Sequence, residues 1–488
     1  MAIWYVDNVA SGANNGTSWA NAWESFADIV WGSMNAGDTL YISGGAAGQT
    51  YNEQLNIGAS GSSGNSIYIK TGAAHPTLSS GHDGTVTIDL SDAANSRGIN
   101  FGSYNYIVVD GEKSGSRNLI VTNTERYGIH GSEMQGVKFK YIQITYCGNN
   151  TGGDEGTGLY ASGTDSDFEI DHCMIDNNWR HGMVLTQNVY PSTDYGHSGT
   201  IHHSSIIANG EDGMYISGGF DVHNCIIGVT REYVNDYSDG IQVHGGYLKI
   251  YNNVFYCDHY KSPTGNDLLF IELYGNNNRD FDNILVYNNI FFATGTGVNN
   301  THEGIVLKIH DHDLHDTVTN FQITNNTFID LGGNAIRFVP YNTSSKYRQG
   351  VIKNNLIYNC NGQLNLANAD YTTSDVVVDY NLWTGQAYFD GTSYASVAAF
   401  NDATGFSHNR DINDYILSFV NYQQDSTPID DVTGLNLASN DTAAKDAGET
   451  LTYNTDIVGT SRPQGAAWDI GAYEVDESGI KIVLILGN

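Results

Sequence analysis

One phrase keeps returning along this 488-residue chain: LKIYNNVFY at 248–256, LVYNNIFF at 285–292, FQITNNTFI at 321–329 and VIKNNLIY at 351–358. Asparagine is depleted in β-strands, so a pair of them among strand formers needs a reason. Hexads aligned on this phrase start at Phe139, Ile170, Ile201, Val222, Ile250, Val286, Ile323, Ile352 and Val378. Their fourth position reads Ile142, Cys173, Ser204, Cys225, Asn253, Asn289, Asn326, Asn355 and Asn381. The sixth is apolar throughout: Ile144, Ile175, Ile206, Ile227, Phe255, Phe291, Phe328, Ile357 and Trp383. A further strand follows in each repeat, as in DGMYIS (212–217), DGIQVH (239–244), DLLFIE (267–272), EGIVLK (303–308) and NAIRFV (334–339). Unequal spacing with constant content describes one supersecondary unit with variable loops, and short alternating strands make that unit a coil of a parallel β-solenoid. The coils stack at roughly 4.8 Å, so equivalent asparagines can pass amide hydrogen bonds along the axis and satisfy polar groups inside it. Cys173 and Cys225 share the column two coils apart, about 10 Å, too far for a disulfide.

Composition agrees. Fifty-six glycines, 32 tyrosines, six prolines and only 15% charged residues suit many short strands and tight turns. The formal net charge of −33 repels nucleic acid and anionic membranes, which argues against both as partners. No apolar run reaches membrane-spanning length, so no membrane insertion is expected. The start, MAIWYVDNVASG, has no basic and apolar leader, so a secreted protein would have lost its leader or leave the cell by another route. Five cysteines without CxxC spacing indicate neither a disulfide scaffold nor a zinc site.

Asparagine ladders with aliphatic and aromatic stacks resemble the right-handed parallel β-helices of the pectate-lyase-like superfamily, over roughly residues 66–400. The resemblance implies an all-β, right-handed parallel β-helix of about ten or more coils. Residues 1–65 then form an N-terminal cap, with an amphipathic helix over 17–31 that places Trp19, Trp23, Phe26 and Val30 at helical spacing behind Thr17 or Ser18. Residues 401–488 hold the last coils and a C-terminal cap. Within them AAKDAGETLTYNTDIVGTSRPQGAAWDIGAYEV (443–475) resembles the closing stretch of bacterial extracellular β-helix proteins, through Asp446–Gly448, Arg462–Pro463 and Asp469–Glu474.

Outward residues of successive coils line up into a groove for an extended chain. Counting from the DG-type pairs predicts one column of Tyr215, Gln242, Phe270, Val306 and Arg337, and a second of Ser217, His244, Glu272, Lys308 and Val339. Tyr274 and His310 lie two residues beyond Glu272 and Lys308. A slip of one residue would turn the whole set inward. His181, Asp212, Asp239, Asp267 and Glu303 form an acidic column whose carboxylates repel unless turn chemistry, a shared proton or a cation relieves them. Calcium ligation by Asp212, Asp239, Asp267 and Glu303 is one reading. A carboxylate pair for hydrolysis is another, since adjacent and alternate coils set acids about 5 and 10 Å apart. The loop at 256–267 adds Asp258, His259 and Lys261, and HDHDLHD at 310–316 reads as a metal tract or a solvated loop.

The superfamily resemblance implies a carbohydrate-active enzyme, first of all a lyase cleaving a uronate polysaccharide by β-elimination. Lys308 or Lys261 with Arg337 would then act as base and charge neutraliser, beside His244 and Glu272, with calcium on the acids and no organic cofactor. Tyr215, Gln242, Tyr274 and His310 would bind the polymer. Two alternatives stay open: a glycoside hydrolase or epimerase using paired aspartates, and a non-catalytic glycan-binding surface or phage receptor-binding protein.

Overall fold

A computed structural model describes residues 1–91, 96–148, 156–163, 166–186, 198–228, 238–258, 268–275, 281–294, 302–309, 317–340, 345–366, 371–422 and 432–475. Residues Met1–Phe220 form one compact unit and those from Asp221 a second. Each is a stack of coils of a right-handed parallel β-helix, three strands to a coil, so that each coil contributes to three parallel sheets. In the first unit the first sheet begins with Ile3–Val6, Thr39–Ile42 and Ile67–Thr71 and runs on to Phe168–Asp171 and Ser198–His202. In the second unit a coil reads Gly246–Tyr251, Val254–Asp258, Leu269–Gly275, and the next Phe281–Tyr287, Ile290–Thr294, Glu303–Ile309. Register is in phase along the hexads, with Ile250 opposite Val286 and Val286 opposite Ile323. Among the described residues no helix is long and apolar enough to cross a membrane.

The asparagine pairs do not lie within a strand, as the linear pattern suggests; each pair is a corner. Tyr251 ends one strand and Val254 begins the next. Between them Asn252 takes φ 55°, and Asn288, Asn325 and Asn354 do the same at their corners. Asparagine tolerates this left-handed region better than other residues with a Cβ, which explains the first member of each pair. The second member points inward. Asn253 Nδ2 donates to Asn289 Oδ1 at 3.0 Å, Asn289 to Asn326 at 3.0 Å, Asn326 to Asn355 at 3.1 Å and Asn355 to Asn381 at 2.9 Å. The ladder goes one coil further than the hexads indicate, to Asn409. A second ladder, Asn178 to Asn209, runs at another corner in the first unit. Beside the first ladder Phe255, Phe291 and Phe328 stack at 4.7 Å between ring centroids. None of the five cysteines forms a disulfide, and all are buried.

Residues 17–31 correct an expectation. They form three 3-10 turns, Trp19–Asn21, Phe26–Asp28 and Trp31–Ser33, and no α-helix. Ser18 does cap the first turn, accepting from Asn21 N, but Ser25 caps a second and interrupts the helical run. The chain is also drawn onto the first strand, where Trp23 N donates to Tyr5 O and Asp7 N to Trp23 O. Trp23 and Phe26 are buried, whereas Val30 is exposed. The described α-helix lies instead at Val397–Thr404, capped by Ser396 and ended by Gly405 in the left-handed region. It seats Phe400 against Trp383 and Phe389.

Candidate functional site

The second unit's third sheet gathers most of the proposed polar residues, in a register that differs from the sequence count. Gln242 lies opposite Glu272, Glu272 opposite Val306, and Val306 opposite Arg337. Tyr274, not Glu272, lies opposite Lys308. The count slips by two residues on one coil because Asp267–Leu268 is not the counterpart of Asp239–Gly240; Leu269 is. A two-residue slip leaves His244, Glu272 and Lys308 on one face without forming one column, whereas Phe270, expected outward, is buried against Phe255 and Phe291.

The residues are nonetheless joined. Glu272 is buried, its side chain 4% exposed, and its two oxygens accept from Lys308 Nζ at 3.0 Å and Gln242 Nε2 at 2.8 Å. Gln242 Nε2 also donates to Asp239 Oδ2 at 3.0 Å. Because both carboxylates only accept, the amide nitrogen must face them and Oε1 must face away, toward His244 Nε2 at 2.9 Å. That contact puts the imidazole proton on Nε2 and the basic lone pair on Nδ1. The His244 and Tyr274 rings are 5.2 Å apart, and Lys308 Nζ sits 4.8 Å from the Tyr274 ring centre. One coil beyond, Arg337 Nη1 lies 3.1 Å from both oxygens of buried Glu303, which also accepts from Asn334. Lys308 and Arg337 are each about one-third exposed while their carboxylate partners are buried. Each cation thus has its charged end paired with a buried carboxylate and remains partly open to solvent.

The acidic column does not hold as drawn. Position by position, Asp239 is followed by Leu269 and then Glu303. Asp212 belongs to the first unit, 3.3 Å from His181 Nδ1, with Tyr215 packed beside the same ring. Among the described acids, Asp239 Oδ2 accepts from Gln242, Glu303 accepts from Arg337 and Asn334, and Asp212 lies near His181. Lys261, Asp267 and His310, with the rest of the 310–316 tract, lie outside the described residues.

The sequence count missed another group. Asp171, His202 and His203 converge in the first unit, all half-buried. The signal was present in the hexads IDHCMI and IHHSSI, whose second and third positions read Asp-His and His-His one coil apart.

No protein-family profile and no curated protein matches the sequence. Among solved structures the chain is similar to a pectate lyase, at 16% identity and TM-score 0.48 over 98% of this chain and 97% of that one. It is similar to a lacto-N-biosidase of Eubacterium ramulus, at 12% identity and TM-score 0.48 over 78% of this chain and 67% of that one. A rhamnogalacturonan lyase aligns at 14% identity and TM-score 0.46 over 71% of this chain and 86% of that one. By its own strand pairing the chain is a parallel β-helix protein, right-handed as parallel crossovers are.

Proposed function

We propose that the chain is a carbohydrate-active enzyme of the extracellular space that binds an acidic, uronate-containing polysaccharide along the third sheet of its second unit and cleaves it by β-elimination. One observation carries the reading: two partly exposed cations, Lys308 beside an oriented His244–Tyr274 pair and Arg337 one coil beyond, share a sheet face in a chain whose net charge is −33. Concentrating positive tips on one sheet face suits an anionic ligand, and a carboxylate held by them is neutralised. Neutralisation acidifies the hydrogen on the adjacent carbon.

His244 Nδ1 takes that proton, the C–H electron pair becomes the new C=C bond, and the glycosidic C–O bond on the next carbon breaks. Tyr274 gives its hydroxyl proton to the departing oxygen. Lys308 and Arg337 hold the charge that builds on the carboxylate in between. Asp239 and Glu272 act through Gln242, fixing the imidazole tautomer. In this reading the ion-paired Lys308 neutralises and His244 is the base. No step in this reading is routed through calcium.

A panel of acidic and neutral polysaccharides, read together for ultraviolet absorbance of an unsaturated product and for new reducing ends, tests this. Both signals should rise on a uronate polymer. His244→Ala should lower turnover by about 100-fold or more, in line with loss of a general base, and Arg337→Gln should raise KM. Reducing ends without unsaturation would replace elimination by hydrolysis, and binding without either signal would leave a glycan-binding protein.

A further inference from the structure

We propose that the first unit carries a binding site for a divalent transition-metal ion of the zinc class, formed by Asp171 Oδ1, His202 Nδ1 and His203 Nδ1, separate from the residues of the proposed polysaccharide site. The three atoms lie 2.8 Å (His202 to His203), 3.3 Å (His202 to Asp171) and 3.9 Å (His203 to Asp171) from one another. An ion bonded at about 2.0–2.1 Å in tetrahedral geometry holds its ligand atoms about 3.4 Å apart, a value these separations bracket. Two imidazoles and a carboxylate suit zinc, copper, nickel or iron, not the all-oxygen preference of calcium.

The fold makes this convergence. Asp171 and His202 are in-register partners on adjacent coils of the first sheet, so one strand spacing separates them. His203 follows at the corner with φ 47°, which swings its ring back across the sheet edge. His172 occupies the same corner one coil earlier, at φ 53°, and stacks on His203 with centroids 5.0 Å apart. Tyr141 stacks on His172 from the other side at 4.6 Å. The stack fixes the ring planes before any ion arrives.

An outer layer is in place as well. Metal-binding histidines commonly present their second ring nitrogen to a carboxylate, and bound carboxylates are themselves hydrogen-bonded. His202 Nε2 faces Glu169 Oε1 at 3.6 Å, and His172 Nδ1 is on Asp171 Oδ1. Lys138 and Lys140 neutralise Glu169, each at 2.7 Å, and Lys140 approaches Asp171 only through its other oxygen, at 3.5 Å. The ion therefore meets one carboxylate oxygen and two imidazole nitrogens. All three ligands are partly solvent-exposed, which supplies an entry path and room for water in the remaining position.

The repeat provides substitutions that keep the fold. Equivalent corners hold Asn224 and Asn252 in the same conformation, and Thr324 occupies the hexad position of His202. Untagged, chelator-treated protein should bind one equivalent of zinc by calorimetry at neutral pH and rise in melting temperature. With cobalt it should show visible d–d absorption. His203→Asn should weaken zinc binding by about tenfold or more and His202→Thr similarly, with the metal-free melting temperature unchanged. His172→Asn should weaken it by about 10- to 100-fold through the outer layer. Binding unchanged in both His203→Asn and His202→Thr would overturn the proposal. So would uptake lost only on replacing His310, His312 and His315, or no uptake at all.

Discussion

At the scale of single residues, the asparagine pair performs two separate tasks that happen to be adjacent. In the ladder Asn326 accepts from the backbone and side-chain amides of Asn289, and donates to Val286 O and Asn355 Oδ1. Asn326→Ala leaves these partners unmatched in a fully buried site, so it should cost about 3 kcal/mol or more in chemical denaturation. The corner residue obeys another rule. Asn252→Gly should be within about 0.5 kcal/mol of wild type, because glycine adopts φ 55° freely. Asn252→Val should cost about 1–2 kcal/mol, from Cβ strain in the left-handed region. Equal effects for the two asparagines would refute the division of labour. The ladder was legible in the sequence because a buried polar column is conspicuous. The corner was not, since in a linear string a left-handed residue is one more polar letter.

At the scale of elements, each misreading came from anchoring a segment on the wrong residue. Matching acidic letters from coil to coil misplaces the third sheet, whose register follows the inward isoleucines Ile241, Ile271, Ile305 and Ile336. Core packing fixes register, while an edge carboxylate does not. Trp19, Trp23 and Phe26 suggested a helix because their spacing is helical, but bonds from Trp23 to the first strand took precedence. Ser396 and Gly405 bracket the helix at 397–404 and could have revealed it. In the closing segment Asp446–Gly448, Arg462–Pro463 and Asp469–Glu474 meet around Arg462, whose side chain is fully buried. Its guanidinium donates to Glu474 Oε2 and to the carbonyls of Asp469 and Gly471. Asp469 in turn accepts from Asp446 N and Val475 N. Arg462→Met strands these carboxylates and should destabilise by about 3–5 kcal/mol. Burial, with Glu474 beside it, pushes the Asp469 carboxyl up to about 7 from 3.8. Between those two values the folded chain keeps a proton that the unfolded chain has released, so stability falls as pH rises through that window and then levels. Thermal melts from pH 4 to 8 should show this decline flattened in Asp469→Asn; an unchanged slope in that variant would remove Asp469 as its source.

At the scale of the whole molecule, the decisive quantity is charge, with 54 acidic against 21 basic residues. An acidic polymer approaching Lys308 and Arg337 meets the repulsion of the chain before it meets the two cations. The two fields have different ranges. Repulsion from many dispersed carboxylates acts over a Debye length, about 30 Å at 0.01 M salt and about 8 Å at 0.15 M, whereas the cation contacts form at hydrogen-bond distance. Added salt therefore removes the long-range penalty first. With the inactive His244→Ala variant and a labelled uronate oligosaccharide, the association rate should rise about tenfold or more between those salt concentrations. The dissociation rate should change little over the same range. Arg337→Gln should raise the dissociation rate at every salt concentration and leave the salt slope of association intact, because the slope belongs to the chain and the contact to the site. A basic protein that binds an acidic polymer behaves with the opposite sign. Association slowing with salt would mean that the local cationic patch outweighs the field of the chain, and a neutral oligosaccharide binding equally well would mean that the site does not read charge.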